Sequence, residues 1–353
     1  MMNAKVSYPH LNSLGSLKLI MLVLIFIWHT DKLVAYPDLG AVGVMFFFTV
    51  SGFLTSYNHA GRMSYTCQTA MDILRRKLRG FYPLHVFTFL LAAMLNAREL
   101  IAYLGWKVYL SSALLNLALL QSWFPDMKFL FNGVSWFLSS LLVCYFCSPL
   151  IMYFIDSAMK SGRRLAALWL AVLAVRAAAD GLVWTGSSML FLDVYANPLV
   201  RMLEFFSGAC AGAFFLLWRD RLKGWLQAAK ARRLTISFLE AALLIAGSVI
   251  ICCLDQFGMR AIFLPVFSAG CLLFAVEGGC ISRLLSNSFF CSAGRIELEF
   301  FMLHQLVIRY MEKIYPGESY SYYAAVFILA IFLSYICYFC RKKYISNMIF
   351  RLS

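Results

Sequence analysis

Apolar runs of about 20 residues recur along almost the whole chain, and each is long enough to cross the hydrocarbon layer of a bilayer as a helix. This recurrence constrains the fold more than any motif does. A segment in lipid must satisfy its own backbone hydrogen bonds, and a helix does so within itself. Composition agrees, since 62% of the 353 residues are hydrophobic and 14% are charged, against about 25% charged in soluble domains. The expected class is all-α, a polytopic membrane helical bundle. The net charge of +14 would suggest nucleic acid on a soluble chain. Here it reads as basic cytoplasmic loops, and no nucleic-acid partner is expected.

The runs place spans at roughly 17–35, 39–57, 81–97, 136–155, 165–184, 198–218, 235–254, 260–278, 298–311 and 321–340. A further apolar stretch, 101–121, is interrupted by Lys107, Ser111, Ser112 and Asn116. The 58–80 loop carries Arg62, Arg75, Arg76, Lys77 and Arg79, and the 219–233 loop carries Arg219, Arg221, Lys223, Lys230, Arg232 and Arg233. Arg163 and Arg164, then Arg341 to Lys343, follow later spans. All lie on one side only when an even number of crossings separates Arg79 from Arg163. The 101–121 stretch is therefore expected to be re-entrant or interfacial.

About ten crossings result, in a multi-pass plasma-membrane protein with both termini cytoplasmic. A tail over 1–16 leads into one membrane domain over 17–340, followed by a basic tail over 341–353. The first run exceeds a signal-peptide core and no small-residue cleavage site closes it, so an uncleaved first span is expected. The eleven cysteines lie mostly within spans. Cys144-x-x-Cys147 and Cys337-x-x-Cys340 have no matching His or Cys partners, so they read as small buried hydrophobes, with no metal site.

Lys18 and His29 share the first apolar run, eleven positions apart. That is almost three helical turns, so both side chains leave the same face, on the order of 16 Å apart along the axis. An ionisable group at membrane depth marks a site or a pathway, or is satisfied by a neighbouring helix. Asp31 lies nearly opposite His29 and is not expected to orient it. Arg201 and Glu204, at i and i+3, share a face and can pair. His10, His59 and His85 read as interfacial or tail residues.

Six segments, in order, resemble the acyltransferase-3 family of integral membrane O-acyltransferases. They are Lys18-x10-His29 in the first span, Ser51-Gly52-Phe53 ending a Phe-rich second span, and the basic cluster running into Tyr82-Pro83. The others are the Trp136-x-Leu-Ser139 span, the Arg201-x-x-Glu204-Phe helix, and a penultimate helix with Glu299 and His304. The resemblance implies acyl-CoA, usually acetyl-CoA, as co-substrate, with no permanently bound cofactor. It implies His29 as general base or transient acyl carrier, with Lys18, Arg75 and Arg76 toward the donor. Ser51, Ser139, Arg201, Glu204, Glu299 and His304 would line the site. The implied partners are acyl-CoA, a cell-surface or exported glycan or a lipid-linked precursor as acceptor, and membrane lipid. A transporter or flippase using the buried His and the Arg–Glu pair is the alternative from another class. Two departures stand out. Leu141 occupies a position where many members carry glutamate, and Lys18 stands where Arg is commoner, offering a point charge instead of a bidentate fork.

Overall fold

The computed structural model describes residues 9–30, 39–184, 194–227, 231–254 and 260–350, and among these there is no strand. The helices are α1 (Asn12–Trp28), α2 (Leu39–His59), α3 (Cys67–Leu104), α4 (Trp106–Leu117), α5 (Trp136–Phe146), α6 (Ser148–Ala158) and α7 (Gly162–Trp184). They continue with α8 (Pro198–Gln227), α9 (Ala231–Leu254), α10 (Phe263–Ala275), α11 (Cys280–Leu285), α12 (Ser288–Ala293), α13 (Glu297–Ile314) and α14 (Tyr320–Phe350).

Each expected span overlaps a helix or, for 136–155, the α5–α6 pair, and residues 31–35 of the first span lie outside the described residues. Six helices among the described residues (α2, α3, α7, α8, α9 and α14) are individually long and apolar enough to cross a membrane, and α5 with α6 would make a seventh. The expected ten is reached only by adding the shorter α1, α10 and α13. The α1 helix starts at Asn12 because Ser13 and Ser16 are buried there, donating to Phe274 O (2.8 Å) and Leu285 O (2.5 Å). The α14 helix runs on through Phe350.

Two prolines fall inside the helical runs. The α5–α6 pair bends by 52° where the sequence suggested one straight span. Pro149 has no N–H and its ring crowds the carbonyl one turn earlier, at Tyr145, which Ser148 Oγ satisfies at 2.7 Å. Pro83 sits inside α3, and Arg341 Nη1 donates to Gly80 O at 3.0 Å in the turn before it.

The interrupted 101–121 stretch folds back on the bundle. After Gly105 (φ 76°), α4 runs along α3, with Asn116 O 2.9 Å from His85 Nε2 and Tyr82 Oη donating to Leu117 O at 3.1 Å. The chain then returns to lay Phe131 against Tyr109 in the first turn of α4, with ring centroids 5.3 Å apart. At 12 residues, α4 is about 18 Å long, short of a bilayer core. The basic loops gather at one end of the bundle. Asp156 holds Gly61 and Tyr65, Arg341 reaches Gly80, and Gly162 lies against Trp218.

The α2–α8 contact is the closest in the bundle. A Cβ on Gly208 would stand 1.8 Å from Thr49 O, and one on Gly52 1.8 Å from Phe205 O. Small residues let membrane helices approach to backbone contact, as here. Gly→Ala inside an open helix normally stabilises by about 0.5–1 kcal/mol. Gly181→Ala, with nothing within 4 Å of its new Cβ, should follow that rule. Gly208→Ala should reverse the sign and destabilise by about 1–3 kcal/mol, the usual cost of overpacking. Thermal-shift size-exclusion profiles of the two variants compare these directly; equal midpoints would show that α2 and α8 can separate freely.

Candidate functional site

The two residues of the first-span motif open into two adjoining cavities. Lys18, Ser51, His59, Arg76, Lys77 and Glu297 are among those lining a cavity of about 450 Å³ at the basic end. His29, Trp136, Tyr195, Gln305 and Arg309 are among those lining a smaller chamber of about 210 Å³. Phe301 belongs to both walls. Its ring packs 4.8 Å from that of Phe137 and 6.2 Å from that of Phe47, so an aromatic partition separates cavity from chamber.

His29 closes α1 as its C-cap residue, still in helical conformation (φ −75°, ψ −5°). The helix therefore carries the imidazole almost three turns from Lys18, as its period requires. His29 Nδ1 lies 2.8 Å from Ile25 O and 3.2 Å from His304 Nε2. His304 is fully buried on α13, with Nδ1 3.1 Å from Phe300 O and 2.8 Å from Phe301 O. Its ring stacks on Phe300 at 5.7 Å and 12°.

At the basic end, Lys18 Nζ donates to Glu297 Oε2 at 2.6 Å, so the motif lysine is a partly neutralised charge. Glu297 carries no signal of its own in the sequence, because the pairing joins residues 279 positions apart. Within the basic cluster, Arg76 and Lys77 face the cavity, whereas Arg75 points outward to Asp72 at 3.4 Å and is exposed. Lys77 Nζ also sits 3.8 Å above the Tyr145 ring. Lys18, Arg76 and Lys77 thus bring positive charge to this cavity.

Of the residues expected to line the site, Ser51 does so. His304 touches His29 from behind instead of lining either cavity. Ser139 donates to Leu119 O at 2.6 Å and meets Ser122 Oγ at 2.6 Å, fastening α5 to the chain returning from α4. Glu299 is buried and accepts from Arg341 Nε at 2.5 Å. Arg201 Nη1 lies 2.8 Å from both Glu204 oxygens, and its Nε donates to Tyr195 O at 2.6 Å. Its guanidinium stands 5.2 and 5.3 Å from the rings of Trp136 and Tyr195, so it backs the chamber wall. Glu204 also faces Arg176 Nε at 3.6 Å, and Arg176 pairs with Asp180.

One histidine is not interfacial as expected: His85 is fully buried where α3 meets α4. His59, the last residue of α2, lines the basic cavity. Asp31 lies outside the described residues.

The architecture supplies a basic cavity, an aromatic partition and an imidazole pair in which His304 is buried and His29 half-buried. Comparisons with known proteins give the class of reaction. The acyltransferase MdmB of Streptomyces mycarofaciens is 25% identical over 305 residues, covering 79% of this chain and 71% of that protein. No solved structure matches the chain. The model of the acyltransferase-3 family, described as an acyltransferase domain, matches residues 11–339. With nearly its whole length in that match, the chain belongs to the acyltransferase-3 family and is a membrane acyltransferase.

Proposed function

We propose that this acyltransferase moves an acetyl group from acetyl-CoA to a hydroxyl of a cell-surface or exported glycan, with His29 as the general base. The carrying observation is that the Lys18 cavity and the His29 chamber share one wall, Phe301. Coenzyme A bears phosphates at one end and its thioester at the tip of a long arm. Lys18, Arg76 and Lys77 suit the phosphates, and the length of α1 between Lys18 and His29, on the order of 16 Å, suits the arm. The basic end then faces the cytoplasm of a plasma-membrane protein, where acyl-CoA is found. Trp136 and Tyr195 line the chamber with aromatic surface that suits the C–H groups of a sugar, and Gln305 offers an amide for its hydroxyls.

In the transfer, the acceptor oxygen bonds to the acyl carbon while its proton passes to His29; an imidazole side chain suits both uptake and release of a proton. The carbon–sulfur bond breaks, and the departing thiolate takes the proton from His29. The products are the acetyl ester and free CoA thiol, and the imidazole is regenerated.

Radiolabelled acetyl-CoA, an isolated glycan and the protein in nanodiscs test the reading. Label in the glycan is the expected result; absence of label with folded protein removes it. Lys18→Ala should raise the KM for acetyl-CoA about tenfold, or ~1.4 kcal/mol of donor binding, with little change in kcat. Lys18→Ala with Glu297→Gln should show a KM between those of the wild type and Lys18→Ala, because the carboxylate left behind no longer repels the donor phosphates. A kcat loss without a KM change would instead place Lys18 in the chemical step.

A further inference from the structure

We infer that His304 is the positioning residue for His29: it accepts a hydrogen bond from the Nδ1–H of His29 and leaves the lone pair of His29 on Nε2. This rests on the reading of His29 as base and adds the group that orients it. Carbonyl oxygens only accept, so the His304 nitrogen facing two of them, at 3.1 Å to Phe300 O and 2.8 Å to Phe301 O, carries the proton. A neutral imidazole has one such proton, and His304 Nε2 is therefore an acceptor. That lone pair is 3.2 Å from His29 Nδ1, which also lies 2.8 Å from Ile25 O.

Ile25 O and His304 Nε2 thus both act as acceptors toward His29 Nδ1. The nitrogen must hold the His29 proton, shared between the carbonyl and His304. The basic electron pair of His29 falls on Nε2, the nitrogen a reacting hydroxyl needs. When Nε2 takes the acceptor proton, the new positive charge spreads to Nδ1–H, where the Ile25 carbonyl and the His304 lone pair both stabilise it. In serine hydrolases a carboxylate does this work on the Nδ1 side. Here an imidazole stands in that place, its tautomer fixed by two carbonyls of its own helix. The ring is held against rotation by Phe300, stacked at 5.7 Å, and by Phe26 at 6.5 Å.

Two measurements test the assignment. The chain has five histidines, so histidine-selective ¹⁵N spectra of the protein in nanodiscs are sparse enough to assign with single substitutions. At neutral pH both His29 and His304 should show protonated Nδ1 and unprotonated Nε2. Protonated Nε2 on either ring overturns the inference, whatever the acyl donor or acceptor proves to be. In the transfer assay, His304→Leu should lower kcat about 10²-fold, within the range a positioned base supplies, with the KM for acetyl-CoA unchanged. His304→Gln, whose amide oxygen can accept from Nδ1–H, should recover about tenfold of that loss. Equal activity of the Leu and Gln variants, both folded, means the ring only fills space and overturns the positioning role. If the wild-type protein transfers no acetyl group, the proposed donor or acceptor fails, while the spectra still decide the pair.

Discussion

His29→Ala lowers acetyl transfer by about 10²–10⁴-fold, the usual contribution of a positioned general base, or further if the imidazole carries the acyl group in a covalent step. The fold should survive. His29 is the cap residue that ends α1, and its ring touches Trp28 at 4.7 Å and His304 at 4.9 Å, so truncation to alanine removes the contacts of one side chain at a helix end. Initial rates of radiolabel transfer, normalised to monodisperse protein, measure the loss. Donor binding should be unchanged, because Lys18, Arg76 and Lys77 line a different cavity from His29. A folded His29→Ala variant with near-wild-type rates would end the mechanism. The basic cavity would then need another nucleophile or base, and Ser51, which lines it, would be the first to examine.

The parts legible in the sequence were those set by local periodicity. The shared face of Lys18 and His29 followed from 3.6 residues per turn, and the Arg201–Glu204 pair from i, i+3 spacing. The orientation of the basic cluster was also present but was read only as charge. Ile73, Lys77 and Phe81 recur at four-residue intervals, and Ile73 and Phe81 are buried, so that stripe already turned Lys77 inward and Arg75 out. The bend at Cys147 was signalled by Pro149, which an otherwise continuous apolar run concealed. Other features come from tertiary folding and have no local signature. Glu297 reaches Lys18, Glu299 reaches Arg341, and His304 reaches His29 only once α13 docks between α1 and α14. The division of Lys18 and His29 between two cavities depends on the Phe301 ring, one phenylalanine among 32.

Neutralising Glu204 should destabilise the protein more than neutralising Arg201, although the two are partners. The pair belongs to a group of four buried charges: Arg176, Asp180, Arg201 and Glu204, which balance to zero. Glu204→Leu leaves two guanidiniums with one carboxylate in low dielectric, at the upper end of the ~3–5 kcal/mol that breaking a buried pair costs. Arg201→Met leaves Glu204 still facing Arg176 at 3.6 Å, so its loss should sit at the lower end. Arg201→Met combined with Glu204→Leu leaves Arg176 and Asp180 as a neutral pair, and should regain most of the stability. Thermal midpoints of detergent-purified variants give the order, and a double variant no better than Glu204→Leu would refute the balance of charges. Activity should behave differently from stability. Arg201 Nε holds Tyr195 O at 2.6 Å, and the guanidinium backs the Trp136 and Tyr195 rings that line the His29 chamber. Methionine fills that volume but donates no hydrogen bond, so Tyr195 loses its anchor and the chamber wall its fixed shape. The refolded double variant should therefore remain slow, with the deficit in kcat and in acceptor KM and not in the KM for acetyl-CoA. Full recovery of transfer along with stability would make the four charges purely structural.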